Sequence, residues 1–263
     1  MIRLGKSLAP ILLGPIFAIA GCASVILEPP PRAAIERDAD VVVDDRQIIA
    51  VTPTATAAST LKRRASRRGY RLYDERALDG LDVYLLAFRI PDGVTGAAAI
   101  KELETLEPDA TAGVNHRYTL QSSSPSAARR NPRTYANEML GWPALGCAAH
   151  VSVGVIDAAI DETPFLENRT RIINQDFTGG AGATGKIPHA TAIATLLAGD
   201  GRLNSASIYN AAVIADSRGN PPSASVDAMM RALNWMQVSG VKLVNISLAG
   251  PYNKILERVR ISR

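Results

Sequence analysis

Asp157 closes an apolar run, Val151-Ser152-Val153-Gly154-Val155-Ile156, and His189 stands 32 positions later at the head of a small-residue stretch, His189-Ala190-Thr191-Ala192-Ile193-Ala194. A carboxylate and an imidazole fixed on neighbouring core elements are two of the three groups that activate a hydroxyl for acyl transfer. The imidazole takes the proton as general base, and the carboxylate fixes its tautomer and stabilises the imidazolium. Each alone has a plainer use, since an aspartate at a strand end caps a turn and a single histidine packs as a polar core residue. Their pairing is what points to chemistry.

The elements that must position this pair alternate along the chain. Residues 151–156 form a continuous apolar strand and 189–197 a helix. A strand over 207–214, a helix over 223–238, a strand over 241–246 and the start of a helix over 253–259 follow. Such alternation predicts an α/β fold with a largely parallel sheet covered by helices on both faces. Ligands bind such sheets beyond the carboxyl ends of the strands, where Asp157 lies.

The preceding residues obey a different order. A β-rich run over 46–52 leads into an alanine-rich helix over 54–68, with Thr54 as its cap after Pro53. Strands over 70–75 and 81–90 flank a turn at Asp79-Gly80. A helix over 95–106 then places Ala99, Ile100, Leu103 and Leu106 at helical spacing, and a last strand covers 113–120. The order β-α-β-β-α-β is the split βαβ, or ferredoxin-like, motif, a small α+β unit able to fold alone. Residues 121–134 are rich in Ser, Pro and Arg with no apolar period and read as an exposed linker, the kind of segment proteases cut.

Composition sets the outer bounds. With 263 residues, 47% apolar and 21% charged, the chain can bury a real core. The net charge of +4 is local, because Lys62, Arg63, Arg64, Arg67 and Arg68 fall in one stretch. Only four residues are Phe, so stacking platforms are scarce and nucleic acid is not an expected partner.

The N-terminus carries an address. Arg3 and Lys6 precede an apolar stretch over 8–20 that is too short to span a bilayer and ends in small residues, as a secretory signal does. Ile19-Ala20-Gly21-Cys22 resembles a bacterial lipobox, in which Cys22 becomes the lipidated first residue. Residues 1–22 are therefore read as signal and lipobox, and 23–45, with Pro29-Pro30-Pro31, as a tether. The expected location is exported and membrane-anchored, periplasmic or cell-surface. Cys147, the other cysteine, is expected to be a buried inert thiol, and a lipidated Cys22 leaves it no intramolecular partner.

Three segments carry a family resemblance. They are Val153-Gly154-Val155-Ile156-Asp157-Ala158-Ala159-Ile160-Asp161, His189-Ala190-Thr191-Ala192-Ile193-Ala194 and Val244-Asn245-Ile246-Ser247-Leu248-Ala249-Gly250-Pro251. They resemble the aspartate, histidine and substrate-strand motifs of subtilisin-like serine peptidases, in that family's order and with its Asp-to-His spacing. The unit over 46–120 is similar to the family's inhibitory propeptide. The resemblance implies a partial subtilisin-like sheet over 135–263 and serine endopeptidase activity through an Asp-His-Ser triad. Ser247, Leu248, Ala249 and Gly250 would then be an open edge to which an extended polypeptide adds by main-chain hydrogen bonds. Asn245 and Ser247, polar residues in an apolar strand, need partners that such an edge would supply.

Departures from the pattern are specific. The glycine usual after the histidine is Ala190, and the Thr-Gly usual after the aspartate is Ala158-Ala159. No Gly-Thr-Ser nucleophile motif and no glycine-flanked asparagine donor occurs in the sequence. The family's spacing puts the serine roughly 157 residues beyond the histidine, and residues 135–263 are short of the roughly 200 residues of a large α/β domain. The expectation is a C-terminally truncated peptidase, inactive alone. The competing class is a non-catalytic lipoprotein whose propeptide-like unit binds or inhibits another peptidase in trans. No cofactor is expected. Structural calcium belongs to the possibilities of the family, but Asp161-Glu162 is too little to assign a site. Gly180-Ala181-Gly182-Ala183-Thr184-Gly185-Lys186-Ile187 nearly spells a phosphate loop, but Ile187 replaces the magnesium-binding hydroxyl, and a surface loop is expected.

Overall fold

The computed structural model describes residues 46–120, 141–143, 145–161, 171–180, 187–199, 202–217 and 220–259, with Met139 and Gly182. The expected signal, Cys22, the tether, the 121–134 linker and most of the phosphate-loop lookalike lie outside the described residues.

The first elements are β1 (Gln47–Thr52), α1 (Ala55–Arg67), β2 (Arg71–Leu78), β3 (Val83–Arg89), α2 (Gly96–Leu106) and β4 (Thr111–Val114), followed by β5 (Arg117–Leu120). Strands β1 to β4 form an antiparallel sheet in the order β2-β3-β1-β4. The run Ile48-Ile49-Ala50-Val51 explains why β1 is central, since all four side chains are buried and a strand covered on both faces needs apolar residues at every position. The alternation then sorts them. Ile48 and Ala50 face α1 and α2 with Leu86 and Phe88, while Ile49 and Val51 join a second cluster with Leu85 and Ala87 on the other face.

Both helices begin as expected. Thr54 Oγ1 accepts from Ala57 N at 3.1 Å and Thr95 Oγ1 from Ala98 N at 3.2 Å, each satisfying an orphan first-turn donor. Ala57, Ala58, Leu61 and Ala65 form the buried stripe of α1. On its outer side Lys62 pairs with Glu75, Arg68 lies 3.8 Å from Glu102, and Arg64 donates to the Leu106 carbonyl.

The later elements are β6 (Cys147–Ala148), β7 (Ser152–Asp157), β8 (Arg171–Asp176), α3 (His189–Ala198), β9 (Leu203–Asn204), β10 (Ser207–Ala212), β11 (Ala215–Ser217), β12 (Asn220–Ser225), α4 (Val226–Val238), β13 (Leu243–Ile246), β14 (Leu248–Ala249) and α5 (Lys254–Arg258). A parallel sheet runs in the order β13-β7-β10-β8, so the protein is mixed α/β. Gly154 lets α4 approach β7. A Cβ there would stand 2.8 Å from Met236 Sδ and 3.1 Å from Val244 Cγ2. The second face of the β1–β4 sheet and this parallel sheet share one cluster, in which Ile49, Leu78 and Leu85 join Val155, Met230 and Met236.

Four expectations change. The strand over 113–120 is broken at Asn115-His116, both buried, and β5 leaves the first sheet. The helix expected from 223 begins at Val226, because the preceding residues form β12, whose Ser223 pairs with Ala215 and whose Ala224 pairs with Tyr118. A strand not foreseen, β8, edges the parallel sheet. Cys147 is half-buried on β6 rather than buried.

Candidate active site

Asp157 is the last residue of β7 and fully buried. Burial of this kind follows from its place at the carboxyl end of a central strand, next to Ile156. Its Oδ1 accepts from Ala158 N at 2.7 Å, and its Oδ2 lies 2.8 Å from His189 Nδ1. His189 opens α3, behind Pro188, which supplies no side-chain cap. The imidazole is about a quarter exposed while the carboxylate is sealed. Because a carboxylate only accepts, Nδ1 carries the hydrogen in the neutral pair and Nε2 is the basic nitrogen. This is the tautomer a general base requires.

Burial raises the Asp157 carboxyl above its usual value, and the Ala158 N–H and the imidazole oppose that rise. A buried carboxylate is stable as an anion only with such partners.

Supporting contacts fix the loop beyond Asp157. Asn210, fully buried in β10, donates through Nδ2 to the Ala158 carbonyl at 3.1 Å and to Asn174 Oδ1 at 3.1 Å. Asp161 N donates to Thr191 Oγ1 at 2.9 Å, tying this loop to the first turn of α3. None of these three side chains was singled out from sequence. The available signal was Asn210, a lone amide inside the apolar strand Ser207-Ile208-Tyr209-Asn210-Ala211-Ala212.

The proposed substrate edge lies at the same end of the sheet. Ile246 of β13 is in register with Ile156 of β7, so Ser247 to Gly250 leave the sheet where Asp157 does. Leu248 and Ala249 form β14, and this edge is occupied. Strand β5 pairs antiparallel with it, Leu248 opposite Leu120 and Ala249 opposite Thr119. On its other side β5 pairs antiparallel with β12, Ala224 opposite Tyr118 and Ser225 opposite Arg117. Gly250 accommodates the Tyr118 ring, whose hydroxyl donates to the Pro251 carbonyl at 2.7 Å. Asn245 Nδ2 donates to Ser247 Oγ at 2.8 Å, so these two polar side chains have a partner in each other within the chain.

Among the described residues, no group of three or more His, Cys, Asp and Glu is placed to hold a metal ion, and no helix is long and apolar enough to cross a membrane. Neither a protein-family model nor any curated protein matches the sequence.

Proposed function

We propose that the chain carries the Asp-His half of the acyl-transfer site of a subtilisin-like serine endopeptidase, with a propeptide-like unit folded against it. The observation that carries this reading is the 2.8 Å contact between a sealed Asp157 carboxylate and a partly exposed His189 imidazole. Its supports are independent of one another. The β2-β3-β1-β4 order agrees with a ferredoxin-like propeptide, and the parallel β13-β7-β10-β8 order agrees with the core of a subtilisin-like domain. Strand β5 lies between β12 and β14 as an added polypeptide strand would.

On this reading His189 takes the proton of a serine hydroxyl through Nε2 and returns it to the leaving amine, while Asp157 stabilises the imidazolium. The hydroxyl belongs to a Gly-Thr-Ser segment, which these 263 residues do not contain. Strand β5 holds the place of a peptide substrate, which makes the arrangement that of an inhibited precursor. Because β5 is paired on both sides within its own chain, action on a second peptidase in trans has less support. Export and lipid attachment at Cys22 are part of the proposal, and mass spectrometry of the mature N-terminus checks them.

The test is fluorophosphonate labelling. The 263-residue chain alone should not label. A chain extended by the coding sequence beyond codon 263 should label on a serine of a Gly-Thr-Ser segment, and His189→Ala should abolish that labelling. Labelling of the 263-residue chain at any of its own serines would overturn this assignment of the nucleophile.

A further inference from the structure

A cavity of about 270 Å³ lies between β5 and α4, lined by Asn115, Arg117, Thr178, Ser223, Asp227 and Arg231, among others. The one carboxylate among these lining residues is already engaged. Asp227 Oδ1 accepts from Asn115 Nδ2 at 3.0 Å, and Oδ2 accepts from Arg231 Nη2 at 3.2 Å. The same Nη2 donates to the Phe177 carbonyl at 2.8 Å. Three buried side-chain atoms on the lining residues have no hydrogen-bond partner among the described residues: Arg117 Nη1, Arg231 Nε and Thr178 Oγ1.

The two nitrogens can only donate, and the hydroxyl can donate. Two guanidinium groups against one carboxylate also leave an excess positive charge in a partly desolvated space, where it is screened less than on the surface. Leaving such donors unsatisfied is costly. Water would accept from them but would also need acceptors for its own hydrogens, whereas an oxyanion needs none. An acceptor-only anion is the better complement, and the planar guanidinium fork suits an oxyanion. The first turn of α4, a 13-residue helix that Ser225 does not cap through its side chain, adds its dipole on the same side, since Ser225, Asp227 and Ala228 line the cavity.

We infer that this cavity binds a small oxyanion, with Arg117, Arg231 and Thr178 as its donors. Arg117 belongs to β5 and Arg231 to α4, so the bound anion ties the strand that fills the proposed substrate edge to the helix that packs on β7. The site does not depend on the acyl-transfer reading, because neither Asp157 nor His189 contributes to it.

Inorganic phosphate is the probe. Thermal unfolding of the full chain is followed in increasing phosphate, with sodium chloride holding ionic strength constant. Phosphate should raise Tm saturably, by roughly 3–6 °C at ten times its dissociation constant. Thr178→Val, which keeps both guanidinium groups, should raise the half-saturating concentration roughly fivefold, and Arg117→Gln tenfold or more. If Arg117→Gln fails to fold, Thr178→Val decides alone. A Tm that does not respond to phosphate at matched ionic strength overturns the site, as does a half-saturation unchanged in the folded variants.

Discussion

The Tyr118 ring fills the space that a side chain at residue 250 would need: a Cβ on Gly250 would lie 2.5 Å from Tyr118 Cδ1 and 2.9 Å from Cε1. Tyr118 cannot easily withdraw, because it is buried and its hydroxyl is held by the Pro251 carbonyl. The seat is thus a lock between β5 and the turn after β14. Gly250→Ala should destabilise the protein by about 1–3 kcal/mol, as overpacking does. Urea unfolding measures the loss. Hydrogen exchange localises it: the amides of β5 should lose protection while those of β7 keep theirs. Equal loss in both strands, or an unchanged urea midpoint, would show that the seat is not a local lock.

The same burial pushes the Tyr118 hydroxyl up to about 12. A phenol whose folded pKa exceeds its unfolded value of roughly 10 contributes stability below that value and loses it as pH rises toward the folded pKa. The difference spectrum at alkaline pH between the protein and Tyr118→Phe should therefore show one tyrosine titrating near 12. One titrating near 10 would mean that β5 is not docked.

Asp157 gives a prediction of opposite interest for stability and activity. Its carboxyl is raised by burial, so the folded state holds that proton more tightly than the unfolded chain. Stability attributable to Asp157 is therefore lost as pH climbs from the unfolded value through the raised folded one. Asp157→Asn keeps an acceptor for Ala158 N and removes the buried charge. Its stability relative to wild type should rise across that window and level off above it, as urea unfolding between pH 3 and 8 would show. Its amide would face His189 Nδ1 with a donor, imposing the wrong tautomer. If a chain extended beyond residue 263 labels with fluorophosphonate, its kcat should fall about 10⁴-fold in Asp157→Asn. A wild type that gained on Asp157→Asn with rising pH would reverse the assigned shift.

The Asp157 and His189 relation was legible because strand end, helix start and residue type are local signals, and the cores of β7, β10 and β13 were legible as short apolar runs. What stayed hidden was non-local. Residues 113–120 look like one strand, yet Asn115 and His116 find partners across the chain, in the partly buried Asp227 and the buried Asn253, and the break lets β5 join β12 and β14. Strand β8 shows only Ile172 and Ile173 as an apolar signal, since it is an edge strand with little of its surface covered. Strand β12 hides behind Pro221-Pro222. Proline is tolerated there because the pairs to β5 are made by Ala224 and Ser225, past both prolines.

Docking of the two halves also runs through Gly80 and Asn234. Gly80 N donates to Asn234 Oδ1 at 2.8 Å, and a Cβ on Gly80 would lie 2.9 Å from the Asn234 carbonyl oxygen, a backbone atom that cannot swing aside. Asn234→Ala should cost about 1–2 kcal/mol through the lost acceptor. Gly80→Ala should cost more, because it separates the turn from α4 as well as straining the bond. Equal effects in thermal unfolding would mean that contact distance at Gly80 is not limiting.

Asn253 concentrates three interactions in one buried side chain. Its Oδ1 caps α5 by accepting from Ile255 N at 3.0 Å, while its Nδ2 donates to the Val114 carbonyl at 3.0 Å and lies 2.9 Å from His116 Nδ1. Because Nδ2 can only donate, His116 Nδ1 is an acceptor, and the imidazole is held in its Nε2–H tautomer. Asn253→Ala removes all three contacts from a site closed to water and should cost about 2–4 kcal/mol. Asn253→Ser separates the parts: its hydroxyl can restore the cap, worth ~1 kcal/mol, but cannot reach both Val114 and His116. Urea midpoints should therefore rank wild type above Ser and Ser above Ala. If Ser matched wild type, the cap alone would account for Asn253, and the link from α5 to β4 would carry no stability.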